Sequence, residues 1–99
     1  MKPKLFILKM PFEDGPGKMW FCSHCALIEG ALLVNPHWQE KVEIRRIDFP
    51  KPRQEVVNIL GEDNQWLPVL IYGDRQTITD PIEITDFLAR EFGGASAHP

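Results

Sequence analysis

Residues 22–25 read CSHC and hold the only two cysteines, Cys22 and Cys25, of the 99-residue chain. The motif lies where a strand pattern gives way to a helix pattern, so Cys22 stands at the start of a predicted helix. Further along the chain, Pro68 opens another predicted strand. A Cys-x-x-Cys pair at a helix start, combined with a later strand-opening proline, indicates thiol–disulfide chemistry.

The composition is that of one folded domain, residues 1–99. Hydrophobic residues make up 43% of the chain, which is enough for a core. Two cysteines form at most one bridge, and a loop this short adds little stability, so the pair is predicted to be reactive and not a structural framework. The net charge is −3 with no basic block, which argues against nucleic acid or an anionic membrane as the partner.

The sequence offers no signal for export or membrane insertion. Its first apolar run, Leu5 to Leu8, is too short for the core of a signal peptide, and no stretch approaches the length of a membrane span. Reactive cysteines without a disulfide framework are typical of a reducing compartment. We therefore expect a cytoplasmic protein.

Hydrophobic periodicity and breaker residues predict the order β-α-β-α-β-β-α. The predicted elements are a strand at 4–9, a helix at 22–34, a strand at 41–49, a helix at 53–60, strands at 68–72 and 76–79, and a last helix that starts after Asp80 and ends at Gly93. Residues 11–18 are predicted to be a loop, and residues 95–99 a disordered tail.

This order predicts an α/β fold with a four-stranded mixed sheet and helices on both faces. The first strand–helix–strand unit gives two parallel strands through a right-handed crossover. Gly73-Asp74 is a hairpin turn that adds two antiparallel strands. A stacked two-helix protein is the structural alternative.

The two cysteines have different predicted roles. The N-terminus of a helix favours negative charge, so Cys22 is predicted to be the attacking thiolate. Cys25 lies on the same helical face within bonding reach and is predicted to resolve the mixed disulfide. His24, when charged, would stabilise the thiolate and make the disulfide more oxidising. The alternative is a pair of structural cysteines that are close only in sequence.

A metal site is the other chemistry that cysteines serve, and we expect none here. Zinc requires four ligands, and the set Cys22, His24, Cys25 and His37 has no recognised spacing. An iron–sulfur cluster shared between two chains, with Cys22 from each, is the remaining metal alternative.

Five further residues are candidates for substrate binding. Pro68 either simply opens a strand or forms a cis bond that leaves the backbone of Leu67 free to pair with a bound peptide or thiol. Phe21 and Trp66 lie next to the two halves of the predicted site, where aromatic residues are either core or an exposed binding patch. Asp80 caps the last helix.

The helical segment Ala26 to Val34 is apolar almost all round, which implies a second cover besides the sheet. The last helix, a partner, or a second copy of the chain in a homodimer would provide that cover. Glu29 is its only charged residue. It either relays a proton for Cys25 or is simply solvated.

WLPVL at 66–70 and TDPIEITDFL at 79–88, together with the CSHC motif, resemble the thioredoxin-like superfamily over nearly the whole chain. The closer branch is similar to glutaredoxins and to the N-terminal domain of glutathione transferases, and small bacterial domains of unknown function are similar too. The resemblance implies a thioredoxin-like fold and a cis proline at Pro68. Asp80 matches the acidic residue that holds glutathione in the family. Pro81 replaces a serine there, which implies that glutathione binds weakly.

Two functions are consistent with these observations. The first is a thiol–disulfide oxidoreductase that acts through Cys22, Cys25 and His24 on a protein or small-molecule thiol or disulfide, with no resident cofactor. The second is a non-catalytic thioredoxin-like binding module that uses its apolar helix and tryptophans to hold a partner.

Overall fold

A computed structural model describes residues 2–99, which form six strands and four helices. The strands are β1 (Lys4–Leu8), β2 (Phe12–Glu13), β3 (Met19–Trp20), β4 (Glu43–Ile47), β5 (Val69–Tyr72) and β6 (Gln76–Ile78). The helices are α1 (Ser23–Val34), α2 (Trp38–Lys41), α3 (Gln54–Leu60) and α4 (Pro81–Phe92).

A four-stranded mixed sheet with the strand order β4-β1-β5-β6 forms the centre of the molecule. The central strand β1 runs parallel to β4 and antiparallel to β5, so that Phe6 pairs with Arg45 on one side and with Val69 on the other. Strand β6 is antiparallel to β5. The apolar run of β1 is buried because both faces of the sheet are covered. The predicted mixed α/β architecture is confirmed.

The helices cover both faces of this sheet. Successive side chains of a strand point to opposite faces. Tyr72 of β5 packs on Phe87 of α4, with ring centroids 4.5 Å apart, and helix α1 packs beside α4. Ile59 of α3 lines a cavity with Ile71 and Tyr72. Because all side chains from Leu5 to Leu8 of β1 are buried, both faces of the sheet are covered, as expected.

The last helix of the fold starts as its sequence predicts. Asp80 accepts hydrogen bonds from the backbone N–H groups of Ile82 and Glu83 through Oδ1, at 2.8 and 3.3 Å. Pro81 occupies the first turn, where its missing N–H leaves no hydrogen bond unmade. Asp80 is thus the N-cap of α4.

A small hairpin, formed by β2 and β3, and the short helix α2 were not expected from the sequence. Part of the segment predicted to be a loop forms a small hairpin, in which Phe12 of β2 pairs with Trp20 of β3 and the indole Nε1 of Trp20 donates to the carbonyl of Asp14 at 2.8 Å. Helix α2 precedes β4, so that strand starts later than predicted. Trp38 of α2 is buried, and its Nε1 donates to the carbonyl of Gly93 at 2.8 Å.

The first residue of the predicted tail is held against the body of the protein. The side chain of Asn35, which is buried, accepts a hydrogen bond from the N–H of Ala95 at 2.8 Å and donates one to its carbonyl at 3.1 Å. A third bond runs from Asn35 to the carbonyl of Ala31 at 2.9 Å. Disorder of residues 95–99 stays a prediction, but Ala95 itself is anchored.

Within residues 2–99, every helix is too short or too polar to cross a membrane.

Candidate functional site

Cys22 is the N-cap of α1, and its backbone is extended there. Its Sγ accepts a hydrogen bond from the backbone N–H of Cys25 at 3.1 Å. Its own N–H donates to Sδ of Met10 at 3.2 Å. The thiol is half-buried, so an attacking reagent can reach it while the helix N-terminus stabilises negative charge on the sulfur.

Cys25 is completely buried in the first turn of α1. The N–H of Leu8, at the end of β1, donates to its Sγ at 3.4 Å. Burial, followed by the hydrogen bond with Cys22, raises the pKa of Cys25 from 9.0 to about 12. The Leu8 N–H acts in the opposite direction, and the negative charges of Cys22 and Glu29 add to the increase. Both cysteines are free thiols, with the buried one held protonated.

His24 lies between the two cysteines in the first turn of α1 and is exposed. Within residues 2–99 its ring makes no hydrogen bond and no ion pair. His24 is two residues after Cys22, and its exposed ring can approach a substrate. Its catalytic role stays a prediction.

The Leu67-Pro68 peptide bond is cis, as expected, and both residues are buried. The antiparallel register of β1 and β5 pairs Leu5 with Leu70 and Phe6 with Val69. Strand β5 therefore starts, directly after Leu67-Pro68, at the end of β1 where the N–H of Leu8 donates to the Cys25 sulfur. The fold therefore brings the two halves of the sequence signature to the same end of the sheet.

Exposed aromatic side chains lie beside both halves of the site. Phe21, which precedes Cys22, is 68% exposed, and Trp66, which precedes Leu67, is 63% exposed. Trp20 is exposed as well. The sequence left open whether these aromatic side chains lie in the core or on the surface, and the structure places them on the surface.

Asp80, a candidate binding residue, has a structural role in capping the N-terminus of α4. Its carboxylate caps α4, and within residues 2–99 no hydrogen bond or ion pair joins it to the cysteine motif. Trp66 and Thr79, the residue before Asp80, line one cavity of about 330 Å³. Asp80 therefore follows a residue that lines the cavity beside Trp66, and its carboxylate is used in capping α4.

Arg53 is a site residue that sequence reasoning missed. It is only 8% exposed, although it carries a charge. Its Nε donates to the carbonyl of Phe49 at 2.9 Å, and its Nη1 donates to the carbonyl of Gln65 at 2.7 Å. Burial lowers the pKa of Arg53, while the negative charges of Cys25 and Cys22 raise it. The guanidinium thus lies within electrostatic reach of both thiols.

No local pattern marks Arg53 for this position. In the sequence it is a polar residue at the start of a short amphipathic helix, where arginine is ordinarily solvated. Its burial depends on Gln65, twelve positions later, whose Oε1 accepts the Arg53 backbone N–H at 2.7 Å. Only the three-dimensional fold brings these two segments together.

Glu29 is partly exposed, and within residues 2–99 no hydrogen bond joins it to Cys25. Its two carboxylate oxygens accept hydrogen bonds from Nε and Nη2 of Arg46 in β4, at 2.8 and 2.7 Å. Helix α1 is thereby joined to the sheet edge. Glu29 still acts on Cys25 through its charge, which raises the pKa of that thiol.

Among residues 2–99, no three or more His, Cys, Asp or Glu side chains are arranged to hold a metal ion. The chemistry that this arrangement offers is that of two inequivalent thiols at a helix start, with a buried cation and exposed aromatic side chains around them.

Residues 2–96 match the model of a family described as protein of unknown function (DUF3088), and the chain belongs to this family. No curated protein matches the chain, and neither does any solved structure.

Proposed function

We propose that this member of the DUF3088 family is a thiol–disulfide oxidoreductase, in which Cys22 attacks and Cys25 resolves. The observation that carries the proposal is the hydrogen bond from the Cys25 N–H to Sγ of Cys22, 3.1 Å long. A backbone donor aimed at this sulfur favours its thiolate, and the thiolate is the nucleophile of disulfide exchange.

The exchange proceeds in two displacements. The Cys22 thiolate attacks one sulfur of a substrate disulfide, forms a mixed disulfide and releases the other half of the substrate as a thiolate. Cys25 then loses its proton to solvent and attacks Sγ of Cys22. The Cys22–Cys25 disulfide forms, the second substrate thiolate leaves, and two electrons have passed from the protein to the substrate. The reverse sequence oxidises a dithiol.

A thioredoxin-like fold is part of the proposal. Two features support it: the β4-β1-β5-β6 order with its mixture of parallel and antiparallel pairs, and the cysteine pair at the N-terminus of α1. The cysteine pair and the start of β5 lie at one end of the sheet, where a substrate disulfide can approach the half-buried Cys22.

The proposed partner is a protein or small-molecule thiol or disulfide in a reducing, cytoplasmic setting, with no resident cofactor. Glutathione is a weak ligand in this proposal, because Pro81 offers neither a hydroxyl nor an N–H. A homodimer through α1 is consistent with Leu33 and Val34, which are large apolar residues exposed at its C-terminal end.

A binding module without redox turnover is the second candidate. The observation that favours it is the exposure of Phe21, which precedes the cysteine motif in the chain, and of Trp66, which precedes Leu67. Large exposed aromatic side chains mark contact surfaces for partners. In this case the thiols would remain reduced, and the aromatic side chains would bind the partner.

One experiment separates the two candidates. The purified protein is equilibrated in buffers of graded dithiol-to-disulfide ratio, and the fraction with a Cys22–Cys25 disulfide is measured by mass spectrometry. A reversible two-electron transition, absent in Cys22→Ser and Cys25→Ser, supports the oxidoreductase. Thiols that never pair across the whole range support the binding module and contradict the proposal.

A further inference from the structure

We propose that Arg53 is the cation that stabilises the thiolate forms of the cysteine pair, first that of Cys22 and then, once a mixed disulfide has formed, that of Cys25. The inference rests on the proposed thiol–disulfide exchange and adds to it a charged residue from outside the Cys-x-x-Cys segment. It is carried by the position of Arg53, by the contacts that hold its guanidinium and by its lack of a carboxylate partner.

One series of contacts links Arg53 to Cys22. The guanidinium lies over the ring of Phe49, 5.3 Å from its centroid. Phe49 in turn stacks on Phe12, with centroids 4.4 Å apart and the rings 6° from parallel. Phe12 lies two residues after Met10, whose Sδ accepts the N–H of Cys22. Phe49 therefore connects the guanidinium of Arg53 to the β2–β3 hairpin, which follows Met10 in the chain.

A second series links Arg53 to Cys25. Its backbone N–H and its Nη1 both donate to Gln65, to the side-chain oxygen and the carbonyl respectively, each at 2.7 Å. Gln65 lies four residues before Val69, the first residue of β5, and β5 starts at the end of the sheet where β1 finishes with Leu8. The N–H of Leu8 contacts the sulfur of Cys25. Arg53 thus lies at the end of the sheet where both thiols lie.

The positive charge of Arg53 is not neutralised by any carboxylate of residues 2–99. The ion pairs of this part of the chain are Arg45 with Glu55 and Arg46 with Glu29. Nε and Nη1 of Arg53 donate to neutral carbonyl groups, and its Nη2 has no hydrogen-bond partner among the described residues. Buried arginines are ordinarily paired with a negative charge, and a thiolate at this site would supply one.

The guanidinium keeps its proton throughout the exchange and acts only through its charge. In the reduced protein it favours the thiolate of Cys22. Once Cys22 is part of a mixed disulfide, the same charge favours loss of the proton from Cys25. The charge of Glu29 also acts on Cys25. Glu29 and His24, the other charged or titratable residues of this helix near the thiols, are unchanged in the variants below.

The first test measures alkylation of Cys22 by iodoacetamide, a neutral reagent that Arg53 does not attract. Arg53→Met removes the charge and keeps much of the apolar volume, whereas Arg53→Lys keeps the charge. Near neutral pH we expect Arg53→Met to react about tenfold more slowly than the wild type, and Arg53→Lys to recover most of the rate. At strongly alkaline pH, where Cys22 is fully ionised in every variant, the rates should converge.

The second test follows the resolving step with 2,2′-dithiodipyridine, a neutral disulfide that releases one coloured thiopyridone in each displacement. The second release reports the attack of Cys25 on the mixed disulfide. We expect this phase to be slower in Arg53→Met than in the wild type and restored in Arg53→Lys.

Each outcome decides the proposal. Wild-type rates in Arg53→Met, or a loss of the same size at every pH, would show that Arg53 has no electrostatic role. If Arg53→Met does not fold, as judged by circular dichroism and urea unfolding, Arg53→Gln is measured against the same criteria. If the wild-type cysteines never pair, the proposed function fails, while the iodoacetamide comparison still decides whether Arg53 stabilises the Cys22 thiolate.

Discussion

The backbone N–H of Cys25 donates a hydrogen bond to the sulfur of Cys22 across 3.1 Å, so the two cysteines interact before any disulfide forms. Cys22 is half-buried at the helix start, whereas Cys25 is completely buried within the first turn. This difference in exposure, together with the raised pKa of Cys25, underlies the proposed division of roles and the first prediction.

Cys22 should be alkylated before Cys25 at neutral pH. The pKa of Cys25, raised to about 12 chiefly by burial, leaves almost none of it ionised there. With a disulfide substrate, Cys25→Ser should accumulate a mixed disulfide on Cys22, and Cys22→Ser should accumulate none. Pulsed iodoacetamide labelling and mass spectrometry give the order of reaction, and faster labelling of Cys25 would reverse the assignment.

His24→Ala should make Cys22 react more slowly with iodoacetamide below neutral pH, where histidine is ordinarily charged. The loss of a positive neighbour disfavours the thiolate and should also make the Cys22–Cys25 disulfide less oxidising. His98→Ala is the matched control, because His98 is exposed and lies in the C-terminal tail. Equal rates for the two variants at every pH would remove His24 from the mechanism.

The resolving step should accelerate as pH rises, because the thiolate fraction of Cys25 grows about tenfold per pH unit below its raised pKa. The negative charge of Glu29 contributes to that raised pKa. Glu29→Gln should therefore lower the pKa of Cys25 and speed up resolution at a given pH, by less than about tenfold, because the ion pair with Arg46 already offsets much of this charge.

Arg46→Gln is the control for this effect. It breaks the same ion pair but leaves the Glu29 carboxylate without its cation, so resolution should become slower or stay unchanged. Both variants should lose only about 0.2–1 kcal/mol of unfolding free energy, since the pair is partly exposed. Stopped-flow measurement with a neutral disulfide gives the rates, and acceleration in both variants would contradict the charge argument.

Glutathione should bind only weakly. Pro81 stands at the first position of α4, where it can donate no N–H and offers no hydroxyl, and the carboxylate of Asp80 already caps the helix. One missing charge-assisted contact costs about 1.5–3 kcal/mol, roughly ten- to a hundredfold in affinity. Calorimetry with reduced glutathione should show millimolar binding or none.

Pro81→Ser should tighten this binding if the remainder of the pocket is present. Cys22→Ser is a useful companion, since it removes covalent capture of glutathione and leaves the capping residues in place. Low-micromolar binding by the wild type would contradict the prediction. No gain in Pro81→Ser would mean that the chain has no glutathione pocket.

Asn35 should be important for stability because its buried side chain holds the start of the C-terminal tail on α1. Asn35→Ala removes three hydrogen bonds and should lower the free energy of unfolding by about 1–3 kcal/mol. Truncation after Gly94 removes Ala95, which is one of the hydrogen-bond partners of Asn35. Asn35→Ala should therefore lower the free energy of unfolding less in the truncated chain than in the full chain. Urea unfolding of the four proteins measures this coupling, and strict additivity would contradict it.

The parts of the site that the sequence predicted are local. The position of Cys22 at a helix start follows from the motif and the apolar residues after it, and Asp80-Pro81 marks the start of α4 in the same way. Strand β1 was recognisable because a short apolar run flanked by charge fits a strand buried on both faces. In each case the information lies within a few consecutive residues.

Other features depend on residues that are distant in the sequence. Arg53 is buried because Phe49 and Gln65 offer it carbonyl groups, and Ala95 is anchored because Asn35 lies beside it. The β2–β3 hairpin similarly packs its Phe12 on Phe49.

The sequence by itself determined the order of the main strands and helices and the position of the thiols, since helix caps and hydrophobic periodicity act over one or two turns of chain. Only the tertiary structure decided which charge is buried beside those thiols. The cost of burying a guanidinium is offset by hydrogen bonds from segments far apart in the sequence, and no local pattern records whether those segments meet.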